Sequence, residues 1–258
     1  MDTLTYKEAV RKSFSKAAPT YDRYASIQQE VARRLLKTMP ADDFHNILEV
    51  GCGTGNYSLL LRSCFPRASI TAVDFSSEML EVARGKLKGR VRFLHEDAEI
   101  LKSPEKFDLI TSNATFQWFE DLKKALCSCR DSLREGGRIH FSLFGPSTFC
   151  ELKETLKRTY PRLAIQFPAE RFHSLDRIGQ ALRQSFSAIK TDEVIINKEY
   201  RSLTNLLKTI KYTGVNGSAP GRGLFLTPAR MKELEENYLG HYGKVRVTYQ
   251  IFICRGSR

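Results

Sequence analysis

The amino-acid sequence predicts an α/β protein with a doubly wound, mostly parallel sheet of seven strands and a helical lid inserted in its C-terminal third. From residue 45 to residue 144, short apolar runs alternate with helical patterns. This alternation is typical of buried parallel strands joined by crossover helices. Two later segments, 188–200 and 244–254, alternate β-branched and aromatic residues with polar ones, which indicates two further strands.

The first five strands are predicted from apolar runs of five or six residues. These runs lie at 46–50, 69–74, 91–95, 107–112 and 138–143. Between the second and third runs, one helical face carries four apolar residues: Met79, Leu80, Ala83 and Leu87. The pair Gly136-Gly137 is a breaker, so we expect the fifth strand to begin after it.

The lid is predicted from helical patterns that one sheet cannot easily accommodate. Between 201 and 240, for example, one helix face carries Leu203, Leu206, Leu207 and Ile210, with Gly214 as its stop. We therefore expect a core with an N-terminal helical segment at 1–145 and a lid at 146–187 and 201–240. The strands at 188–200 and 244–254 complete the core sheet, and the lid covers its carboxyl edge, where such sheets bind ligands.

Composition limits the classes of protein that fit. The chain of 258 residues has 41 Lys and Arg against 29 Asp and Glu, a net charge of +12, which favours an anionic partner. We find no signal peptide and no apolar run of about 18 residues, so we expect a cytoplasmic protein without a membrane partner. The only close cysteine pair, Cys127-x-Cys129, lacks a second pair or histidine at zinc spacing, and we expect neither a metal nor a disulfide.

Three glycines at alternate positions follow the first strand, in the stretch "ILEVGCGTGN" at 47–56. Gly51, Gly53 and Gly55 let the backbone turn tightly and approach a ligand closely. That ligand is either a dinucleotide pyrophosphate or a nucleoside without a phosphate. The dinucleotide fingerprint has a glycine at the position of Asn56, and this sequence does not.

Polar residues follow three other strands. Asp74 ends the second strand, 19 residues after Gly55, where an acid can accept hydrogen bonds from both ribose hydroxyls. Asp97 and Ala98 follow the third strand, where a carboxylate can accept from an adenine amino group, and Asn113 closes the fourth. Ligand groups at successive strand ends indicate a nucleoside site.

The stretch 10–145 resembles the class I S-adenosylmethionine-dependent methyltransferases, which have a Rossmann-like fold. The resemblance rests on the glycine motif, the ribose acid, the "DA" pair and the "LREGGR" turn. It implies S-adenosyl-L-methionine as cofactor and S-adenosyl-L-homocysteine as product, with the Gly51–Gly55 loop on the methionine part, Asp74 on the ribose and Asp97 on the adenine. The implied cofactor-binding residues are Tyr21, Gly51, Cys52, Gly53, Gly55, Asp74, Phe75, Met79, Asp97, Ala98 and Asn113.

The segment after the fourth strand bears on whether the methyl acceptor is a nucleic acid. "SNATFQWFEDL" contains neither the Asn/Asp-Pro-Pro-aromatic motif nor the Pro-Cys nucleophile of nucleic-acid methyltransferases. No basic arm with interleaved aromatic residues is visible either. We therefore expect no nucleic-acid partner.

Three motifs narrow the resemblance further. "NATFQWFEDL", "VRKSFSKAAPTYDRYASIQ" and "YRSLTNLLKTIKYTGVN" resemble the malonyl-acyl carrier protein O-methyltransferases of biotin synthesis over nearly the whole chain. This implies methyl transfer to the free carboxylate of a malonyl thioester on an acyl carrier protein, or on coenzyme A. The alternative is a methyltransferase for a small free carboxylic acid such as an aconitate-like tricarboxylate, since trans-aconitate methyltransferases share features like "FQW". A non-catalytic cofactor-binding module is a third hypothesis.

An ionised carboxylate needs alignment and a counter-charge rather than a general base, because a carboxyl pKa near ~4 leaves it charged at pH 7. Cations in the lid are candidates for its partner: Arg201, Lys208, Lys211 and Arg222. We rank Arg201 first and Lys211 second, since Arg201 lies between a predicted strand and a predicted helix.

Aromatic residues complete the predicted catalytic set. We expect Tyr21 to close over the cofactor and to donate a hydrogen bond to the acceptor. Phe116, Gln117 and Trp118 lie where the acceptor approaches the methyl group. The predicted catalytic residues are thus Tyr21, Phe116, Trp118, Arg201 and Lys211.

Charge also predicts the partner. Residues 151–223 contain 13 Lys and Arg against 7 Asp and Glu, which is half of the net charge in less than a third of the chain. A basic lid would steer an acidic acyl carrier protein toward the site. We expect the enzyme itself to be a monomer.

Overall fold

The structure, a computed structural model, describes residues 5–40, 42–101, 103–162, 167–215 and 227–258. Within them, seven strands form one sheet. The strands are β1 (Asn46–Val50), β2 (Ser69–Asp74), β3 (Arg92–His95), β4 (Phe107–Asn113), β5 (Leu133–Phe144), β6 (Ser187–Tyr200) and β7 (Val245–Ser257). Their order across the sheet is β3-β2-β1-β4-β5-β7-β6, and β7 alone runs antiparallel to its neighbours. This confirms the predicted fold class.

Helices cover both faces of the sheet. They are α1 (Tyr6–Ala17), α2 (Tyr21–Tyr24), α3 (Ser26–Lys37), α4 (Asn56–Cys64), α5 (Ser77–Leu87), α6 (Leu122–Ser132), α7 (Cys150–Thr159), α8 (Leu175–Arg183), α9 (Leu203–Tyr212) and α10 (Pro228–Tyr242). Adjacent residues of β1 belong to different cores: Ile47 packs in the core on one face and Leu48 in the core on the other. A strand that is covered on both sides reads as a continuous apolar run, as the sequence does here.

The β6–β7 hairpin projects past the carboxyl edge of the sheet. β5 ends at Phe144, which pairs with Ile251, so the preceding residues 245–250 of β7 pair with β6 alone. Six residues at about 3.4 Å each give a projection of about 20 Å. Helices α7, α9 and α10 pack on it through buried residues such as Leu152, Leu206 and Tyr238.

Helix α8 differs from the sequence interpretation. It belongs to the predicted lid segment 146–187, but its buried residues Ile178 and Leu182 lie in the same core as Leu126 of α6. It therefore flanks the sheet instead of covering the carboxyl edge. An amphipathic pattern specifies that a helix has one buried face, but it does not specify which neighbour that face meets.

The glycine pair before the fifth strand also differs from the prediction. Strand β5 already begins at Leu133, and its pairing with β4 shifts register between Phe107 and Leu109. Gly136 has φ of +74°, and a Cβ on Gly137 would lie 2.8 Å from the carbonyl oxygen of Arg134. The pair thus forms an irregularity inside the strand, as glycines at β-bulges do.

Three further features concern cysteines, metals and membranes. The six cysteines are free thiols. Among the residues that the structure describes, no group of three or more His, Cys, Asp or Glu side chains is placed to hold a metal ion. None of the described helices combines the length and the apolar character that a membrane span requires.

Candidate active site

A cavity of about 320 Å³ lies at the carboxyl edge of the sheet, between the ends of β1, β2 and β4 and the N-terminal helices. This volume falls in the range of small-molecule sites. The structure brings ten of the eleven residues predicted to bind the cofactor to its wall. They are Tyr21, Gly51, Cys52, Gly53, Asp74, Phe75, Met79, Asp97, Ala98 and Asn113.

Gly55 is the eleventh residue, and it does not line the cavity. A Cβ at this position would lie 3.0 Å from the Cβ of Ala83 and 2.9 Å from a methyl group of Leu87. Gly55 therefore allows the loop to pack closely on α5. The alternate spacing of the glycines did not reveal that this one faces the opposite side.

The other two glycines shape the floor of the cavity. Gly51 has φ of +69°, and a Cβ there would lie 2.2 Å from the Oγ1 atom of Thr115. Gly53 has φ of +53°, and a Cβ there would meet no atom within 4 Å. Because Gly53 also lines the cavity, a side chain at this position would enter the space that a ligand needs.

Asp74 ends β2 and is nearly buried. Its Oδ2 accepts a hydrogen bond from the Gly53 N–H at 2.8 Å, and its Oδ1 accepts one from the Ser76 N–H at 2.9 Å. Burial raises the pKa of Asp74 to about 6, and the two N–H donors oppose this rise. A carboxylate oxygen can accept more than one hydrogen bond, so Asp74 keeps acceptor capacity for a ligand.

Glu49 is a second buried carboxylate on the wall of this cavity. Its Oε2 accepts a hydrogen bond from the Ser58 hydroxyl at 2.5 Å. Burial raises its pKa to about 8, the Ser58 bond opposes the rise, and the negative charge of Asp74 adds to it. Sequence reasoning gave Glu49 no role, although an acid two residues before the first glycine was a signal for one.

The predicted adenine acid is tied to the N-terminal helix. Lys7 Nζ of α1 lies 2.5 Å from Asp97 Oδ2 and 2.5 Å from Glu99 Oε2. Burial alone would lower the pKa of Lys7, but its bonds to the two carboxylates raise it overall. Since Lys7 also lines the cavity, α1 closes the end of the site that lies beyond β3.

Asp22 holds the second N-terminal helix against the glycine loop. Its Oδ1 accepts hydrogen bonds from the Thr54 hydroxyl at 2.6 Å and from the Asn56 amide at 2.8 Å. Its Oδ2 pairs with Lys86, which also donates to Asn56 Oδ1 at 2.8 Å. These contacts explain Asn56, which stands where a dinucleotide site has glycine, and they position the neighbouring Tyr21 over the cavity.

Asn113 lines the cavity, but its amide is used inside the protein. Its Nδ2 donates to the Gln28 carbonyl at 3.0 Å, and its Oδ1 accepts from the Ser142 hydroxyl at 2.9 Å. The next residue, Ala114, has φ of +58°, a conformation that non-glycine residues adopt mainly where the surroundings enforce it. Asn113 thus fixes the turn after β4 between α3 and β5.

A second, smaller cavity of about 30 Å³ adjoins the first. Five residues line both cavities: Phe14, Tyr21, Gln28, Ala114 and Trp118. We call these five residues the shared wall. A group bound in one cavity can meet a group bound in the other only at this wall.

The second cavity is lined by aromatic and aliphatic side chains together with neutral polar ones. Its neutral polar residues beyond the shared wall include Gln117, Thr148, Thr209, Thr213 and Tyr249. No Arg or Lys is among the described residues that line it. Its described lining is therefore uncharged, whereas that of the first cavity carries charges.

The 3₁₀ turn at Phe116–Trp118 places the side chains of its two predicted catalytic aromatic residues, Phe116 and Trp118, in different surroundings. Trp118 lies in the shared wall, with its ring 5.4 Å from that of Phe14 and 5.2 Å from that of Phe172, both in edge contacts. Phe116 lines neither cavity: it is fully buried in the core, and its ring stacks on Phe141 at 4.5 Å. Placing Phe116 at the acceptor site was incorrect, because successive side chains of a tight turn point in different directions.

The structure does not bring the predicted lid cations to either cavity. Arg201, Lys208 and Lys211 are exposed and line neither one. Helix α9 buries its apolar face, with Leu203, Leu206 and Ile210, and this leaves its lysines on the outer face. The fourth candidate, Arg222, lies outside the described residues.

Arg33 is a cation that sequence reasoning missed. It lies on the exposed side of α3 and lines the first cavity near Gln29 and Leu59, at the α4 side of the glycine loop. The adjacent Arg34 pairs with Glu30 at 2.7 Å, whereas no carboxylate in the described part of the chain pairs with Arg33. The sequence alone could not distinguish the two adjacent arginines.

Comparison with known proteins supports the fold. A family model described as a methyltransferase domain matches residues 47–137. The YcgJ protein of Bacillus subtilis superposes with a TM-score of 0.62 at 19% identity, covering 89% of this chain and 98% of that one. Phosphoethanolamine N-methyltransferase 2 of Haemonchus contortus, solved with S-adenosyl-L-methionine, gives 0.61 at 16% identity and covers 98% of this chain and 60% of that one.

Relatives found by sequence similarity identify the family more specifically than the solved structures do. Malonyl-[acyl-carrier protein] O-methyltransferase 2 of Ilyobacter polytropus is 37% identical over 92% of this chain and 91% of its own length. The enzyme of the same name from Acetivibrio thermocellus is 34% identical over 96% and 93%, and that from Bacillus anthracis is 31% identical over 96% of each. On this similarity, the chain belongs to the family of malonyl-[acyl-carrier protein] O-methyltransferases.

Proposed function

We propose that this protein is an S-adenosylmethionine-dependent carboxyl O-methyltransferase. Its substrate is the free carboxylate of a malonyl thioester on an acyl carrier protein, and the methyl ester that it forms enters biotin synthesis. The observation that carries the proposal is the pair of joined cavities, one lined by buried acids and a glycine loop and the other uncharged. The relatives named for this reaction support the same substrate.

The first cavity fits the methyl donor at each of its parts. Asp74 retains acceptor capacity for two ribose hydroxyls, and Gly53 leaves the loop open where a Cβ would intrude. The segment at Asp97 and Ala98 lines the far end, where adenine would lie. The methionine part would then lie at the β1 and β4 end, next to the shared wall.

Two charged residues fit the amino-acid group of the methionine part. Glu49 provides a buried carboxylate for the ammonium group, whose positive charge would lower the raised pKa of Glu49. Arg33 provides an unpaired guanidinium for the carboxylate, on the α3 side of the cavity. Opposite charges on opposite sides of the loop would orient the donor along the sheet edge.

When bound, S-adenosylmethionine would supply an electrophilic methyl group on a sulfonium centre, for transfer to a carboxylate oxygen with S-adenosylhomocysteine as the leaving product. The acceptor is already ionised, so the protein needs no general base. Its residues supply alignment and exclude water, and alignment alone can remove roughly 7–11 kcal/mol of a barrier. Tyr21 and Trp118, in the shared wall, hold the two reactants at the point of contact.

Among the described residues, the second cavity offers neutral groups where the sequence predicted a cation, and the candidate Arg222 lies outside the described residues. A carboxylate that leaves water is stabilised by hydrogen bonds, and the side-chain amide of Gln28 brings neutral donors to this compartment. The hydroxyls of Thr209 and Thr213 donate to backbone carbonyls within α9. At about 30 Å³, the compartment has room for the carboxylate end of the acceptor. We further propose that the enzyme acts as a monomer in the cytoplasm, where its six thiols stay reduced.

Isotope transfer tests the proposal. The protein is incubated with donor labelled in its methyl group and with malonyl, succinyl or acetyl carrier protein, malonyl-coenzyme A, or a free tricarboxylic acid. We expect a base-labile methyl ester on malonyl carrier protein, slower reaction of the succinyl form because its extra methylene displaces the oxygen, and none of the acetyl form. Label on the tricarboxylate alone would support the alternative substrate class. Donor binding without any transfer would contradict an enzymatic role.

A further inference from the structure

We infer that an acidic carrier protein docks on four cations at the outer edge of the second cavity: Arg23 of α2, Lys198 of β6, and Lys208 and Lys211 of α9. We call these four residues the basic rim. The inference rests on the proposed function, because it names the surface that would receive the carrier. It differs from the sequence interpretation, which assigned the steering charge to the whole segment 151–223.

Three cations of the basic rim lie on helices that also line the second cavity, and the fourth, Lys198 of β6, contacts Ser26 beside the lining residue Ile27. Helices α2 and α9 are joined by Tyr24 and Tyr212, whose rings stack at 4.8 Å and 25°. Tyr24 lines the cavity from α2, and Thr209 lines it from α9. Arg23, Lys208 and Lys211 therefore lie on the exposed sides of the same two helices.

The four cations are connected through their neighbours. Lys211 Nζ lies 5.5 Å from the centre of the Tyr212 ring, and Lys208 precedes Lys211 by three residues, so both share one helix face. Lys198 contacts the Ser26 hydroxyl, three residues beyond Arg23. Arg23, Lys208 and Lys211 are exposed, and Lys198 is half-buried.

No carboxylate in the described residues forms an ion pair with any of the four. The nearby acids are already engaged: Asp22 with Lys86, Glu30 with Arg34, and Glu199 with Lys244. Glu235 accepts a hydrogen bond from the Leu203 N–H at the start of α9, and α9 itself contains no acidic residue. The rim cations are thus left without an ion pair in the described part of the chain.

Lys198 provides a second indication. Its ammonium lies 5.4 Å from the centre of the Tyr200 ring and contacts a hydroxyl group instead of a carboxylate. Burial lowers its pKa, while the charge of Glu30 opposes this effect. A half-buried lysine without an ion pair favours an anion from outside, since an external carboxylate or phosphate would supply the missing charge.

Two cations on another helix of the predicted lid are already paired. Lys153 and Lys157 of α7 both lie within ion-pair distance of Glu170. The basic rim is therefore defined by two properties together: its cations have no ion pair with a described residue, and they lie on or beside elements that line the second cavity. It includes Arg23 from the N-terminal segment.

The arrangement suits a carrier protein whose body is acidic and whose cargo is carried on an uncharged arm. The acidic body would remain outside on the rim, and the end of the arm would bring the malonyl carboxylate into the second cavity at the shared wall. Cations at an interface edge act mainly on the rate of association and its salt dependence. This division also explains why the charges lie around the cavity and not inside it.

Charge reversal tests the inference. One variant combines Arg23→Glu, Lys208→Glu and Lys211→Glu. A control variant combines Arg67→Glu, Lys123→Glu and Lys124→Glu, three exposed residues that form no ion pair with a described residue. Both variants change the net charge equally, so they separate a local effect from a global one.

Two measurements are made on the wild type and both variants. The first is kcat/KM with malonyl carrier protein and with malonyl-N-acetylcysteamine, a thioester without a carrier, at 50 and 500 mM salt. We expect the rim variant to lose at least about tenfold with the carrier at low salt, to lose most of the salt dependence, and to change less than about twofold with the small thioester. The control variant should match the wild type with both substrates.

The second measurement is direct binding of the carrier protein by calorimetry, which needs no catalysis. Equal carrier affinity and equal kcat/KM in the rim and control variants would overturn the docking surface. A wild type that binds the carrier through the rim but transfers no methyl group would instead refute the proposed function and leave the docking surface standing. Absence of carrier binding by the wild type would refute the docking surface.

Discussion

Replacing Gly53 by alanine separates the shape of the cofactor cavity from the stability of the protein. Gly53 has φ of +53°, and a Cβ would meet no protein atom within 4 Å. Gly89, in the turn between α5 and β3, has φ of +80° and equally open surroundings. Of these two glycines, Gly53 lines the first cavity and Gly89 does not, so Gly89→Ala is a matched control for backbone strain.

The expected magnitudes follow from these two environments. A left-handed alanine costs about 1–2 kcal/mol, and in a protein of this size each kcal/mol lowers Tm by about 2–4 °C. Both variants should therefore fold and show a similar small loss of stability. In Gly53→Ala the added methyl group enters the ligand space, and overpacking of this kind costs about 1–3 kcal/mol. Affinity for the donor should then fall roughly 5- to 150-fold.

Two assays test the comparison. Thermal unfolding without ligand gives the strain in each variant, and calorimetric titration with S-adenosylhomocysteine gives the affinity. We expect matched Tm values and a loss of affinity in Gly53→Ala alone. Equal affinity in the two variants would refute the assignment of the Gly53 surface to the cofactor.

Three further predictions concern charged groups of the same cavity. Because the raised pKa of Asp74 is about 6, affinity for S-adenosylhomocysteine should fall as pH drops from 7 to 5; Asp74→Asn should bind at least about tenfold more weakly and show no such pH dependence. Glu49 has a folded pKa of about 8 against an ordinary 4.5, so ligand-free protein should lose stability as pH rises between these values. Glu49→Gln removes this effect. The free energy of unfolding of this variant minus that of the wild type, measured in urea, should therefore increase by about 3–5 kcal/mol from pH 5 to pH 8. A difference that stays constant with pH would contradict the burial argument. Arg33→Ala should weaken S-adenosylhomocysteine binding about tenfold, but not binding of 5′-methylthioadenosine, which lacks the amino-acid group. Arg34→Ala is the control, and equal losses for both ligands would refute the assigned contact.

The sequence could predict the features that depend on local periodicity and on the geometry of parallel sheets. Apolar runs gave the strands, and parallel strands end at one edge, so Asp74, Asp97 and Asn113 were expected to lie together. They do line one cavity. The positions are thus predictable from topology, although the hydrogen bonds of each side chain are not.

Contacts between distant segments could not be predicted. Asp22 meets Thr54 across 32 residues, and Lys7 meets Glu99 across 92. Such pairs depend on how the N-terminal helices dock, which no local pattern encodes. The cations of α9 were expected to pair with the substrate, but they line neither cavity, because Leu203, Leu206 and Ile210 occupy the buried side of the helix. Phe116 was misplaced for a similar reason: packing decides which side chains of the 3₁₀ turn Phe116–Trp118 face the core.

A crystal structure of the protein with S-adenosylhomocysteine and a non-hydrolysable malonyl-pantetheine analogue tests the central claim, that the two cavities hold donor and acceptor on opposite sides of the shared wall. We expect adenine at Asp97 and Ala98, the thioether sulfur at the wall beside Tyr21 and Trp118, and the malonyl carboxylate facing that sulfur from the second cavity. An analogue bound outside the second cavity, or a sulfur turned away from the wall, would contradict this account of the reaction.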